Sequence, residues 1–254
     1  MSDALNQTQV IVCGLGALGS EVAHLLVQEG VGRFMLCDAD ILLPVNVARH
    51  RASLTDAGRL KAEAVARDIH RVNPHAHTEI VEGWLEELSP LLRVPNQQHH
   101  TIAVGLTGDE ASEHALGDAC TELGVPCFHA WLEHAGQVLR LFRVIPNQDP
   151  SLLALATSPV ALVPPMPKPT QPAVHADECA DLALPGSAVT IHAAANFVAQ
   201  AVLDVALGHV PSENHWLLAP QGLQTENLPT SLSPLQHRLG LCAFTLTEHS
   251  GSAS

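Results

Sequence analysis

The sequence predicts an α/β fold, a Rossmann-like doubly wound and mainly parallel sheet, and three observations carry that prediction. Short apolar runs alternate with helix-like segments through residues 1–145. A glycine loop, Gly14-Leu-Gly16-Ala-Leu-Gly19, falls directly between the first run and the first helix. An acidic residue, Asp38, closes the second run. Strand–helix alternation at this spacing implies right-handed crossovers between parallel strands.

The elements follow in order. Gln9–Cys13 is apolar and ends at glycines, as a strand buried on both faces does. From Ala17 to Gln28, Leu18, Val22, Leu25 and Leu26 share one helical face, and Gly30 lies just past the end. Arg33–Cys37 is the second strand. A helix is expected from Thr55, a capping residue, to Arg71, with Asn73-Pro74 as its stop. Strands are expected at Thr78–Val81, Thr101–Val104 and Val125–His129, with a helix over Glu110–Leu123. Gln137–Val144 alternates polar and apolar residues and suits an antiparallel addition.

The texture changes at Pro146. Residues 146–185 hold nine of the 18 prolines, which cannot pair in a central strand or continue a helix, so a long irregular crossover is expected there. An apolar helix follows at Ala188–Leu207, then short strands at His215–Ala219 and Leu239–Leu246. The 254 residues therefore read as a single domain: a core over 1–145, a crossover over 146–185, and a C-terminal helix with strands over 186–254.

Composition excludes several classes. Twelve Lys+Arg against 26 Asp+Glu leave a net charge of −14, too little cationic surface for general binding to nucleic acid. A partner with a basic docking face suits that charge. No apolar run suggests a membrane span, and Met1-Ser-Asp-Ala lacks a signal peptide's basic and apolar regions, so a cytoplasmic protein is expected. The six cysteines form no C-x-x-C pair, so neither a disulfide framework nor a structural zinc is expected.

The glycine loop suits a nucleotide. Gly14 permits the turn, Gly16 lets phosphate approach the backbone, and Gly19 lets helix and strand pack closely. The helix N-terminus supplies N–H donors for an anion, and Asp38 stands where ribose hydroxyls are held. These features leave NAD, FAD, S-adenosylmethionine and ATP open. Beyond them come Asp40, Asn46, Arg49, His50, Arg51 and Gly58-Arg59-Leu-Lys61-Ala62. Hydride-transfer enzymes need no such cations, whereas a triphosphate losing pyrophosphate does: Arg grips phosphate oxygens bidentately and Lys neutralises developing charge.

At these residues the chain resembles the ThiF/MoeB/HesA family, the bacterial relatives of ubiquitin-activating enzymes. The shared pattern is Gly14/Gly16/Gly19, Asp38/Asp40, Asn46/Arg49, Gly58/Lys61-Ala62 and Arg71-Val-Asn73-Pro74, in the family's order. The resemblance implies adenylation of a protein's C-terminal carboxylate with ATP and Mg²⁺. It implies that Asp38 holds the ribose, that Asn46, Arg49 and Lys61 handle the phosphates, and that Asp109 in Thr107-Gly108-Asp109 binds Mg²⁺. Asp109 is displaced by one position from the family's usual turn, and it stands equally where a helix cap is needed. The family's zinc-binding cysteine pairs are absent.

In ubiquitin-activating relatives the crossover carries the cysteine that takes the acyl group from AMP as a thioester. Cys179, in Ala176-Asp-Glu-Cys179-Ala-Asp, occupies the equivalent stretch. Its acidic neighbours should raise rather than lower its thiol pKa. The implied partners are a ubiquitin-like or sulfur-carrier protein, a conjugating enzyme and a second copy in a homodimer. Adenylation without a thioester, an NAD/FAD-dependent oxidoreductase and a catalytically silent adaptor stay open as alternatives.

Overall fold

The computed structural model describes residues 3–81, 100–133, 136–158, 188–218 and 241–245. After α1 (Asp3–Gln7) come β1 (Thr8–Cys13), α2 (Ala17–Gln28), β2 (Arg33–Cys37), α3 (Lys61–Val72) and β3 (His77–Val81). Then come β4 (His100–Gly105), α4 (Glu110–Leu123), β5 (Cys127–Glu133), β6 (Val138–Val144), α5 (Leu152–Ala156), α6 (Ala188–Ala206), β7 (His215–Leu218) and β8 (Leu241–Phe244). One eight-stranded sheet runs in the order β3-β2-β1-β4-β5-β6-β7-β8. Its first five strands are mutually parallel, and β6 to β8 extend it antiparallel. The doubly wound α/β expectation and the antiparallel addition at β6 both hold.

Alternation along each strand divides two cores. On one face Val10, Val12, Leu36, Val104 and Phe128 pack with Val22 and Leu26 of α2, Ile69 of α3 and Val198 of α6. On the other, Ile11, Cys13, Met35, Cys37 and Cys127 pack with Leu116 and Cys120 of α4. Cys13 and Cys37 stand side by side in register. A hydrogen bond with Cys37 and burial hold the Cys13 thiol well above its ordinary pKa, and burial followed by a bond with Cys120 does the same to Cys127. These thiols are packing groups rather than nucleophiles.

Two expectations are corrected. The helix after β2 begins at Lys61, not Thr55, because the preceding loop folds back on its own anchors. Asp56 is fully buried in a short 3-10 turn, Leu54–Asp56, where its carboxylate takes the Ser53 hydroxyl at 3.0 Å and faces Arg67 at 3.1 Å. Gly58 then takes φ +88°, and the Lys61 N–H reaches the Asp40 carbonyl at 2.9 Å. The second correction concerns α6, whose 19 residues and mean hydropathy of 1.4 are enough, by length and composition alone, to cross a membrane. Here the helix packs along α2 with ten residues buried, Val198 and Val202 among them.

The antiparallel edge is held by buried charge. The Arg143 guanidinium grips both oxygens of Asp149, at 3.0 and 2.9 Å, and donates to the Pro211 carbonyl at 2.6 Å. Arg140 clasps Glu133 and donates to His215 Nε2 at 3.0 Å. His215 is also stacked on Phe142 with ring centroids 4.3 Å apart. Burial first, then the Arg140 charge, push the His215 pKa down to about 3.

The native state therefore holds His215 neutral, while the unfolded chain takes up a proton below about pH 6.5. Its contribution is intact above that value and is lost as pH falls, at up to about 1.4 kcal/mol per pH unit. Urea unfolding at pH 7, 6 and 5 should show this slope, and His215→Gln should flatten it by close to one proton.

Candidate nucleotide-binding site

The carboxyl ends of β1, β2 and β4 meet at the glycine loop, and backbone bonds pin it between its neighbours. The Gly14 N–H donates to the Cys37 carbonyl at 2.9 Å, and the Leu106 N–H donates to the Cys13 carbonyl at 2.7 Å. Gly14 has φ +87°, and a Cβ there would sit 2.5 Å from the Leu106 carbonyl oxygen. A Cβ on Gly19 would sit 1.9 Å from the Gly14 carbonyl oxygen, so only glycine lets α2 approach the loop so closely. At Gly16 a Cβ would meet nothing within 4 Å. Gly16 caps α2 with no side-chain hydrogen bond, so the first N–H groups of that helix face open space, an arrangement suited to an anion.

That space is a cavity of about 340 Å³. Gly16–Leu18 form one wall, Asn46, Arg49, His50 and Lys61 a second, and Leu106–Gly108 a third, with Trp131 and Ile191 among the apolar lining. The Asn46 side-chain oxygen accepts the Leu43 N–H at 2.9 Å, which leaves its NH₂ end for the cavity. Lys61 Nζ lies 2.5 Å from Asp40 Oδ2, latched to an exposed carboxylate at the cavity rim.

Asp38 works through the loop. Its oxygens accept the Leu15 N–H at 2.6 Å and the Asp40 N–H at 2.9 Å. Burial raises its pKa, with Lys61 the chief opposing influence. Sequence reasoning gave His50 no role, yet it holds the other side of Leu15. Its Nε2 lies 2.8 Å from the Leu15 carbonyl oxygen, and its Nδ1 accepts the Ala52 N–H at 3.0 Å. That pairing fixes a neutral imidazole with the proton on Nε2. Burial is the main cause lowering its pKa, which agrees. A single histidine in a loop carries no sequence signal; only the fold brings it to Leu15.

Of the expected site residues, Gly16, Asn46, Arg49 and Lys61 line one cavity. Gly14, Gly19 and Asp38 shape it from behind, and the exposed Asp40 holds Lys61. Arg51 lies instead near Asp68 at 3.8 Å, and Arg59 is exposed; neither lines the cavity. Asp109 is the N-cap of α4, accepting the Ser112 N–H at 2.9 Å, and Ser112, through its side chain first and its N–H second, lowers the Asp109 pKa. It adjoins Gly108 at the cavity wall and keeps an oxygen beyond the cap bond. Among the described residues no three His, Cys, Asp or Glu converge as a metal cage. An ion such as Mg²⁺ fits here all the same, because it commonly takes one or two carboxylates together with substrate phosphates. Cys179 lies outside the described residues.

Comparison with known proteins agrees with this geometry. The model of the ThiF family matches residues 2–236. The chain is 29% identical over 150 residues to the ATP-dependent ubiquitin transferase-like protein Cap2 of Pseudomonas aeruginosa, covering 55% of this chain and 25% of Cap2. It is 29% identical over 127 residues to the molybdopterin-synthase adenylyltransferase of Escherichia coli, covering 49% of each chain. It thus spans a quarter to about half of these relatives. The crystal structure of E. coli MccB with ATP superposes with a TM-score of 0.65 at 16% identity, over 87% of this chain and 63% of that one; this likeness concerns the fold.

Two glycines separate shape from binding. Gly16→Ala should change stability to urea by less than about 0.5 kcal/mol, the ordinary range for an unobstructed site, yet weaken ATP binding by filling the anion cradle. Gly19→Ala should cost about 2 kcal/mol or more through overpacking.

Proposed function

The chain belongs to the ThiF family, and from that premise we propose that it is an ATP-dependent adenylyltransferase acting on the C-terminal carboxylate of a ubiquitin-like or sulfur-carrier protein. The observation that carries this reading is one cavity uniting an uncapped helix N-terminus with Asn46, Arg49 and Lys61. A dinucleotide site needs the first feature; a triphosphate under attack needs both. The names of the relatives, Cap2 and the molybdopterin-synthase adenylyltransferase, support the same reading.

In this mechanism the loop and Asp38 hold the nucleotide's sugar and α-phosphate. A carboxylate oxygen of the carrier attacks the α-phosphorus, the bond to the bridging oxygen breaks, and pyrophosphate leaves. Lys61 exchanges Asp40 for phosphate, and Arg49 and Asn46 hold the departing oxygens. Mg²⁺, with Asp109 as its protein ligand, supplies neutralising charge to the polyphosphate when bound. In the fuller form the Cys179 thiolate then attacks the acyl carbon of the adenylate, AMP leaves, and the thioester passes to a conjugating enzyme. Adenylation without this relay is the second form. A homodimer in the cytoplasm, and a carrier whose basic face meets the charge of −14, complete the proposal.

Lys61→Ala should reduce carrier-dependent ATP–pyrophosphate exchange at least about a hundredfold, the scale on which one stabilising donor acts, and Asp109→Ala should suppress it too. Exchange at the wild-type rate in both variants would remove the mechanism. For the relay, a thiol-sensitive conjugate trapped from the charged enzyme should vanish in Cys179→Ala; a conjugate that persists assigns the acceptor elsewhere.

A further inference from the structure

Beneath the turn that follows β4 lies a buried carboxylate–imidazole pair that the adenylation chemistry leaves unused. Glu113 of α4 and His129 of β5 are 3% and 0% exposed. Glu113 Oε2 lies 2.7 Å from His129 Nδ1. The other oxygen, Oε1, accepts twice from Thr107, from its N–H at 2.8 Å and its hydroxyl at 2.7 Å. The Thr107 hydroxyl oxygen in turn accepts the Asp109 N–H at 3.1 Å. A chain of bonds thus runs from His129 through Glu113 and Thr107 to the residue beside the cavity wall.

Room for the pair comes from missing side chains. A Cβ on Gly105 would fall 2.1 Å from Glu113 Oε2 and 3.0 Å from His129 Nδ1, and one on Gly117 would fall 3.3 Å from His129 Nε2. His129 Nε2 itself is buried without a hydrogen-bond partner among the described residues. A buried carboxylate is destabilising unless its bonds are satisfied, and Glu113 directs two of its three bonds at one residue of the turn. The turn is also tied at its ends, by the Leu106 N–H to the Cys13 carbonyl and by Asp109 to the start of α4, whereas at its middle Gly108 has φ +69° and a Cβ there would touch nothing within 4 Å.

We propose that Glu113 is a positioning residue that holds Thr107, and through it Gly108 and Asp109, against the polyphosphate side of the cavity, with His129 locking its carboxylate in place. The inference rests on reading the cavity as an ATP site. Sheet order gives it a direction. β1 lies between β2 and β4, so the Thr107 turn and Asp38 stand on opposite sides of the glycine loop. Loss of Glu113 therefore acts on the polyphosphate and spares the nucleoside.

The test is calorimetric titration of the full-length protein with ATP and with AMP, both with Mg²⁺. Glu113→Ala should weaken ATP binding about tenfold, the scale of a lost hydrogen bond to a charged group, and AMP binding less than twofold. Glu113→Gln keeps an amide oxygen for both Thr107 donors and should restore ATP affinity to within about threefold of wild type. Thr107→Val retains the backbone bond and loses only the hydroxyl; it should show a smaller loss with the same selectivity, and it serves if Glu113→Ala does not fold. Equal losses for ATP and AMP in folded variants, or no loss, overturn the positioning role and leave the ATP site standing. A wild-type protein that binds neither nucleotide overturns the ATP reading and this role with it.

Discussion

Everything at the site depends on how tightly the glycine loop is tied to the strands beside it. Gly14 is bonded to the end of β2, and the end of β1 is bonded to the start of the β4 turn. Leu15, at the crest, is held from both sides, its N–H by Asp38 and its carbonyl by His50. These bonds allow the next residue, Gly16, to leave α2 uncapped over open space. Without them, donor groups at a helix start would turn toward water or a side-chain cap, and their alignment for an anion would be lost. Both Leu15 partners have pKa values shifted by burial in the directions that desolvation dictates, Asp38 upward and His50 downward.

The fold was legible in the sequence wherever periodicity and breakers agreed. Over the first 145 residues the strands and α2 fall close to where the apolar runs and glycines put them, because strand length, glycine turns and helix spacing are local properties. The helix beginning at Lys61 was misplaced for a non-local reason. Thr55-Asp56 looks like a helix start, yet Asp56 is drawn into a buried 3-10 turn by Ser53, Arg67 and Arg71. Two of those partners belong to the helix itself, so the anchor exists only after α3 has formed. Helix α6 shows the converse: its length and composition would permit a span, and packing on α2 gives it another place to be buried.

The site was legible as a set and not residue by residue. Asn46 and Arg49 stand in one loop and Lys61 opens the helix after it, and they meet at one cavity because the loop from Asp40 to Lys61 closes on itself, Lys61 N–H to Asp40 carbonyl. Their neighbours Arg51 and Arg59 carry the same charge and point elsewhere, a distinction that spacing does not encode. Arg51 illustrates why: Asp68 on α3 already joins His24 of α2 at 2.6 Å, and the guanidinium drifts toward that pair. His50 and Trp131 left no motif, since a lone histidine or tryptophan has many uses and only the three-dimensional arrangement selects one.

Charge shows how an acidic protein builds an anion site. With 26 acidic residues against 12 basic, a cavity for phosphate survives only if carboxylates near it are neutralised or turned away. Asp38 is directed at backbone N–H groups, Asp40 at Lys61, and Asp109 at the start of its own helix. Glu113 is sunk under the β4 turn against His129. Each carboxylate thus strengthens the frame by bonding to a donor, and that bond tempers its repulsion of phosphate. The attraction for phosphate then comes from the α2 N-terminus together with Arg49 and Lys61, groups that a low-dielectric wall of Ala130, Trp131, Leu132 and Ile191 makes more effective than they would be in water.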